Sequence, residues 1–136
     1  TLHLRMQRHS ENARKVAKFL KRNPKIGKVY WPGFTDHTNH TIAKKQMKDF
    51  GGIVSFIPKK SNFKTAKKIA EKLKLFTLAE SLGGVESLCC HPASMTHASI
   101  TPEDRKKSGL VDSLLRLSVG IEDADDLIED LKQAIG

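Results

Sequence analysis

The chain has 136 residues and a net charge of +9, with 38% hydrophobic and 29% charged residues. That length suits one domain with its own core, the balance excludes disorder, and no apolar run approaches the ~20 residues of a membrane span. The charge is divided: residues 1–75 hold 19 Lys and Arg against 4 acids, residues 76–136 hold 5 against 11, so the basic half suits either a nucleic acid or acidic partner or a set of solvated helix faces.

The chain opens at Thr1-Leu2 with neither an initiator Met nor a signal-peptide pattern, as a processed or excised piece would. Leu2, Met6, His9, Ala13, Val16 and Leu20 then recur every three or four residues, the mark of an amphipathic helix, which Asn23-Pro24 stops. Lys28–Trp31 predicts a short strand ended by Pro32-Gly33. Its Tyr30-Trp31 pair holds the chain's one Tyr and one Trp, a weak aromatic supply for a base-stacking surface. Residues 41–50 read as helix, with Ala43, Met47 and Phe50 on one side and Gly51-Gly52 as a C-terminal glycine cap.

Ile53–Ile57 is apolar and β-prone, hence a strand. Ser61-Asn62 precedes a helix whose core face is Phe63, Ala66, Ile69, Ala70 and Leu73. Leu75–Leu82 predicts a strand running into Gly83-Gly84, and Val85–Cys90 another that Pro92 ends. The two adjacent cysteines there, Cys89 and Cys90, give no disulfide framework and suit a reducing, cytoplasmic location. Thr101-Pro102-Glu103-Asp104 is a helix start, and Leu114–Val119 alternates as a strand. Ala124, Leu127, Ile128, Leu131 and Ile135 form a last helix, with Glu122, Asp123, Asp125 and Asp126 near its positive end. Together these predict the α+β class: a two-layer sandwich with a small antiparallel-rich sheet and helices on one face.

Three groups of residues are candidates for chemistry. Arg116 lies inside the apolar run Leu114–Val119, where a charge is costly unless paired. Its planar fork suits a carboxylate or phosphate, although strand alternation with Leu115 and Leu117 also allows it simply to face solvent. Glu80-Ser81-Leu82-Gly83-Gly84 ends a strand with paired glycines, as an ordinary turn or a site of close approach; it lacks the spacing and the Lys-Ser/Thr of a phosphate loop. Cys89, Cys90, His91 and His97, with His37 and His40, lack the spaced ligand pairs of a metal site, so no metal is expected. No Gly-x-Ser-x-Gly elbow supports a hydrolase.

Three longer segments carry a resemblance: Thr77–Leu88, with Glu80-Ser81-Leu82-Gly83-Gly84-Val85-Glu86-Ser87; His91-Pro92-Ala93-Ser94-Met95-Thr96-His97-Ala98-Ser99; and Leu115-Arg116-Leu117-Ser118-Val119-Gly120-Ile121-Glu122. With Thr1–Asn12, Gln46-Met47 and Phe50-Gly51-Gly52, they resemble the Cys/Met-metabolism family of pyridoxal-phosphate enzymes, in family order over essentially the whole chain. The resemblance implies the C-terminal small domain, residues 1–136, of a fold-type-I enzyme of the cystathionine γ-synthase or γ-lyase type. It implies a preceding cofactor-binding domain that holds the Schiff-base lysine, since no lysine here has the family's Ser-x-Thr-Lys context. It further implies pyridoxal phosphate as cofactor, an amino-acid substrate and a homotetramer, with neither nucleic acid nor membrane as partner.

Carried over by position, Arg116 matches the arginine that clamps the substrate α-carboxylate, and Ser81 a serine near that carboxylate and the Schiff base. Glu80 matches a glutamate of the cystathionine-handling branches that faces the distal end of the substrate, and Thr96 a threonine supporting the arginine's surroundings. The cysteine pair 89–90 and the basic stretch 59–74 depart from the family pattern. The alternative from a different class is a stand-alone basic module, binding nucleic acid or an acidic partner through residues 1–75.

Overall fold

The apolar stripe of the first segment folds as predicted into a long helix, α1 (Leu2–Arg22), whose buried face includes His9, Ala13, Val16 and Leu20. Residues 1–136 are all described by the computed structural model. The elements that follow are β1 (Ile26–Tyr30), α2 (His40–Gln46), β2 (Ile53–Pro58), α3 (Phe63–Lys72), β3 (Thr77–Leu78), β4 (Leu88–Cys90), α4 (Pro102–Lys107), β5 (Leu115–Ser118) and α5 (Ala124–Ile135). The chain is α+β, with one five-stranded mixed sheet in the order β1-β2-β5-β4-β3. Three of its pairings are antiparallel, and β3 joins β4 in parallel.

Register decides which side chains share a face, because successive residues of a strand point to opposite sides. Val54 pairs Leu117, Phe56 pairs Leu115 and Cys89 pairs Leu117. These residues join Ala13, Val16 and Leu20 of α1, Ala66 and Ile69 of α3, and Leu127 and Leu131 of α5 in a single core of 18 buried residues. Alternation turns the next row, Ser55–Arg116–Cys90, and the row Ile53–Ser118–Leu88 to the opposite face.

Caps follow the sequence closely. Asn62 Oδ1 accepts from Thr65 N at 2.8 Å at the start of α3, and Thr101 Oγ1 accepts from Asp104 N at 3.2 Å at the start of α4. At α5 the cap is Asp123, which accepts from Asp125 N and Asp126 N; Glu122 turns elsewhere.

Five expectations need correction. The 85–90 strand is only Leu88–Cys90, because Ser87 N donates to the Glu122 carboxylate rather than to a strand partner. The α1 stripe is only partly covered, since Leu2 and Met6 are exposed. The 41–50 helix ends at Gln46, with extended backbone at Met47. Phe50 there is drawn edge-on to Trp31, so the positive φ of Gly51 serves the turn into β2 rather than a helix cap. The 75–82 strand shrinks to Thr77–Leu78; at its start the backbone N–H groups of Lys74, Leu75 and Phe76 all donate to the carboxylate of Asp130. Finally, Phe63 leaves the expected α3 core face, lies about half exposed and packs edge-on against the His91 ring.

Candidate functional site

Arg116 sits mid-strand in β5 between the inward-facing Leu115 and Leu117, so its side chain leaves the sheet on the face away from the helices. It is half-buried there rather than freely solvated. Its Nη2 donates to the carbonyl oxygen of Glu80 at 3.1 Å, whereas its Nε is buried with no hydrogen-bond partner. No carboxylate forms an ion pair with it. One donor of the guanidinium is therefore held by backbone, and the cation keeps its charge and a desolvated N–H for an incoming anion.

The loop between β3 and β4 frames this arginine, fastened along its length to β5 and the turn that follows. Gly83 N donates to Ser118 Oγ at 2.8 Å, and Ile121 N to Val85 O at 2.9 Å. Ser87 donates twice to Glu122, from its N at 2.7 Å and its Oγ at 2.8 Å, while Gly120 N donates to Ser87 Oγ at 2.8 Å. Gly120 is required here: a Cβ would run into the carbonyl oxygen of Val85 and the backbone of Glu86.

Of the residues named from the sequence, Glu80 meets Arg116 through its backbone carbonyl, and its side chain is exposed. Ser81, next in the loop, is also exposed, with its hydroxyl unengaged by the protein. Thr96 is exposed and less direct. Its Oγ1 lies 2.7 Å from His97 Nδ1 and 4.0 Å from the Sγ of Cys90, the cross-strand neighbour of Arg116. Glu122 and Ser87 escaped sequence reasoning as loop-fixing residues, because Glu122 reads locally as a helix-start acid.

The cysteines divide by face. Cys89 points into the core, and burial, reinforced by its neighbour Cys90 and opposed by Arg116, pushes its thiol up to about 12. It stays protonated and inert at neutral pH. No three His, Cys, Asp or Glu side chains come together as metal ligands. His91 instead shares a hydrogen bond with Ser94 Oγ at 2.6 Å and donates to the carbonyl of Asp112 at 2.6 Å, tying two loops. Two grooves, about 310 and 620 Å³, lie beside β1 and between α1 and α5, and no residue of the Arg116 row lines either. No helix is long and apolar enough to cross a membrane.

Residues 1–136 match the family described as Cys/Met metabolism PLP-dependent enzyme. The chain belongs to this family. A cystathionine beta-lyase of Coxiella burnetii (strain RSA 493 / Nine Mile phase I) is 53% identical over 99% of the chain and 35% of the relative. An L-methionine gamma-lyase of Fusobacterium nucleatum subsp. polymorphum is 51% identical over 99% of the chain and 34% of the relative. A cystathionine gamma-lyase of Dictyostelium discoideum is 50% identical over 99% and 35%. The chain thus spans about a third of the length of the curated relatives it matches. Pyridoxal phosphate is the cofactor named by the family, whose members here include three kinds of lyase at nearly equal identity.

Proposed function

We propose that this chain is the C-terminal small domain of a pyridoxal-phosphate-dependent transsulfuration enzyme and supplies the clamp for the substrate's α-carboxylate. The whole enzyme would act on cystathionine or O-acyl-homoserine by γ-elimination or γ-replacement. The observation that carries this reading is Arg116: a cation on the sheet face away from the helices, oriented by one backbone carbonyl, with a buried donor still unfilled.

That donor set fits an amino-acid carboxylate presented to the cofactor. An arginine fork matches a planar carboxylate with two hydrogen bonds, and the exposed Ser81 hydroxyl lies two loop residues from the Ser118-held Gly83. When bound, pyridoxal phosphate supplies the electron sink for loss of the Cα proton. Arg116 holds the carboxylate and so orients the Cα–H bond, a positioning effect that accounts for large rate factors in enzymes generally. Ser81 donates its hydroxyl to the carboxylate or toward the cofactor's attachment point. The Glu80 side chain faces the distal part of the substrate, which favours the γ-synthase or γ-lyase type over methionine γ-lyase and cystathionine β-lyase, and Thr96 supports the arginine's row from beside Cys90. The lysine that carries the cofactor belongs to a preceding domain outside residues 1–136, and four such chains assemble. Two unpaired thiols suit a reducing cytoplasm.

The test is Arg116→Ala in the protein that carries this chain together with its cofactor domain. Loss of a charge-assisted pair worth about 1.5–3 kcal/mol lowers kcat/KM at least tenfold, with cofactor occupancy retained. An unchanged kcat/KM removes Arg116 from the site.

A further inference from the structure

We infer that Glu122 is a positioning residue for the carboxylate site: through Ser87 it locks the 80–87 loop onto the exit of β5, and thereby holds the Glu80 carbonyl on Arg116. The inference rests on the proposed role of Arg116 and deepens it.

Glu122 is tied at both ends. Its backbone carbonyl accepts from Asn12 Nδ2 of α1 at 2.7 Å, and the same Nδ2 reaches the carbonyl of Gly120 at 3.0 Å. Its carboxylate takes both donors of Ser87, a fully buried residue, whose hydroxyl in turn accepts from Gly120 N. This carboxylate is not serving α5, whose first turn is capped by Asp123. Between Ser87 and Arg116 the loop has two further fastenings, Val85 to Ile121 and Gly83 to Ser118. Apart from Thr77 N, which donates to the Ser87 carbonyl at the loop's end, these fastenings come from residues 116–122, and Glu122 makes the one that uses two hydrogen bonds to a single carboxylate. With it gone, the buried Ser87 N–H and hydroxyl lose their acceptor, and the loop must move to rehydrate them. Glu80 moves with that loop, and Arg116 loses the carbonyl that aims it.

The test uses the full-length, cofactor-loaded enzyme with Glu122→Ala, Glu122→Gln, Ser87→Ala and Arg116→Ala. The change in cofactor absorbance is titrated with glycine, and separately with ethylamine, which carries a methyl in place of the carboxylate. Glu122→Ala is expected to weaken glycine binding about tenfold and leave ethylamine binding unchanged. Glu122→Gln, which keeps one acceptor oxygen, recovers much of the loss. In steady state KM rises more than kcat falls. A Glu122→Ala enzyme that binds glycine as tightly as the parent overturns the inference, and so does one that loses glycine and ethylamine equally, which marks general loosening. Should Glu122→Ala not fold, Ser87→Ala decides by the same two titrations. Arg116→Ala separates the two claims: if it spares glycine binding, the clamp reading itself falls, whereas if it alone weakens glycine, only the role of Glu122 falls.

Discussion

Asp130 shows how much a single side chain decides away from the candidate site. It lies in α5, yet its carboxylate accepts the backbone N–H groups of Lys74, Leu75 and Phe76 and the amide of Gln133, at 2.8 to 3.1 Å. Burial opposes its ionisation, but those four donors outweigh burial and hold the carboxyl below its usual 3.8. A lowered native pKa means stability that is present at neutral pH and lost as pH falls through the native value. Below about pH 5 the protein is therefore expected to lose stability progressively, with Asp130 contributing. Asp130→Asn should lower stability by roughly 2–4 kcal/mol at pH 7 and flatten the acid slope, as read from urea midpoints between neutral and acid pH. An unaltered acid slope would assign it to other carboxylates.

Elements differ in how strongly their caps matter. Asn62 caps α3, which places Ala66, Ile69 and Ala70 in the core; Thr101 caps α4, which buries nothing. Asn62→Ala is thus expected to lower global stability by about 1 kcal/mol, whereas Thr101→Ala frays α4 and leaves the denaturation midpoint unmoved. Amide hydrogen exchange over residues 102–108 reads the second effect. Both caps were legible from sequence because they rest on residues three positions apart. The elements that the sequence misplaced depend on distant partners: the lost start of the 75–82 strand on Asp130, the end of α2 on the packing of Phe50 against Trp31. The uncovered Leu2 and Met6 make the same point, since periodicity reports which face is apolar and not whether anything lies against it. At the site, Arg116 was legible as a charge in an apolar strand, but alternation alone left it free to face water. The Glu80 carbonyl that aims it comes from 36 residues away.

For the whole molecule, the contrast between a basic first half and an acidic second half raises the question of a polyanionic partner. The aromatic residues bear on it. Trp31 is 3% exposed, with Phe34 and Phe50 edge-on to it at ring-centroid distances of 5.3 and 5.6 Å. Of the aromatic side chains in the basic half, this cluster is turned inward whereas Phe63 stays about half exposed, and some cations are already engaged, Arg14 with Asp49 and Lys21 with Asp36. The protein that carries this chain is expected to leave the anisotropy of a labelled oligonucleotide unchanged at low salt. Binding that weakens steeply as salt rises would restore the basic-module reading.

One detail of the Arg116 contact reaches further than its single hydrogen bond suggests. The arginine is aimed by the main-chain oxygen of residue 80, not by its side chain. Every amino acid offers that oxygen, so the aim of Arg116, and with it the proposed grip on a substrate carboxylate, does not depend on what residue 80 is. The side chain there projects outward and is free to be exchanged. If the proposed roles of Arg116 and Glu80 hold, a lineage changes its preference at residue 80 by one codon without retuning the carboxylate grip.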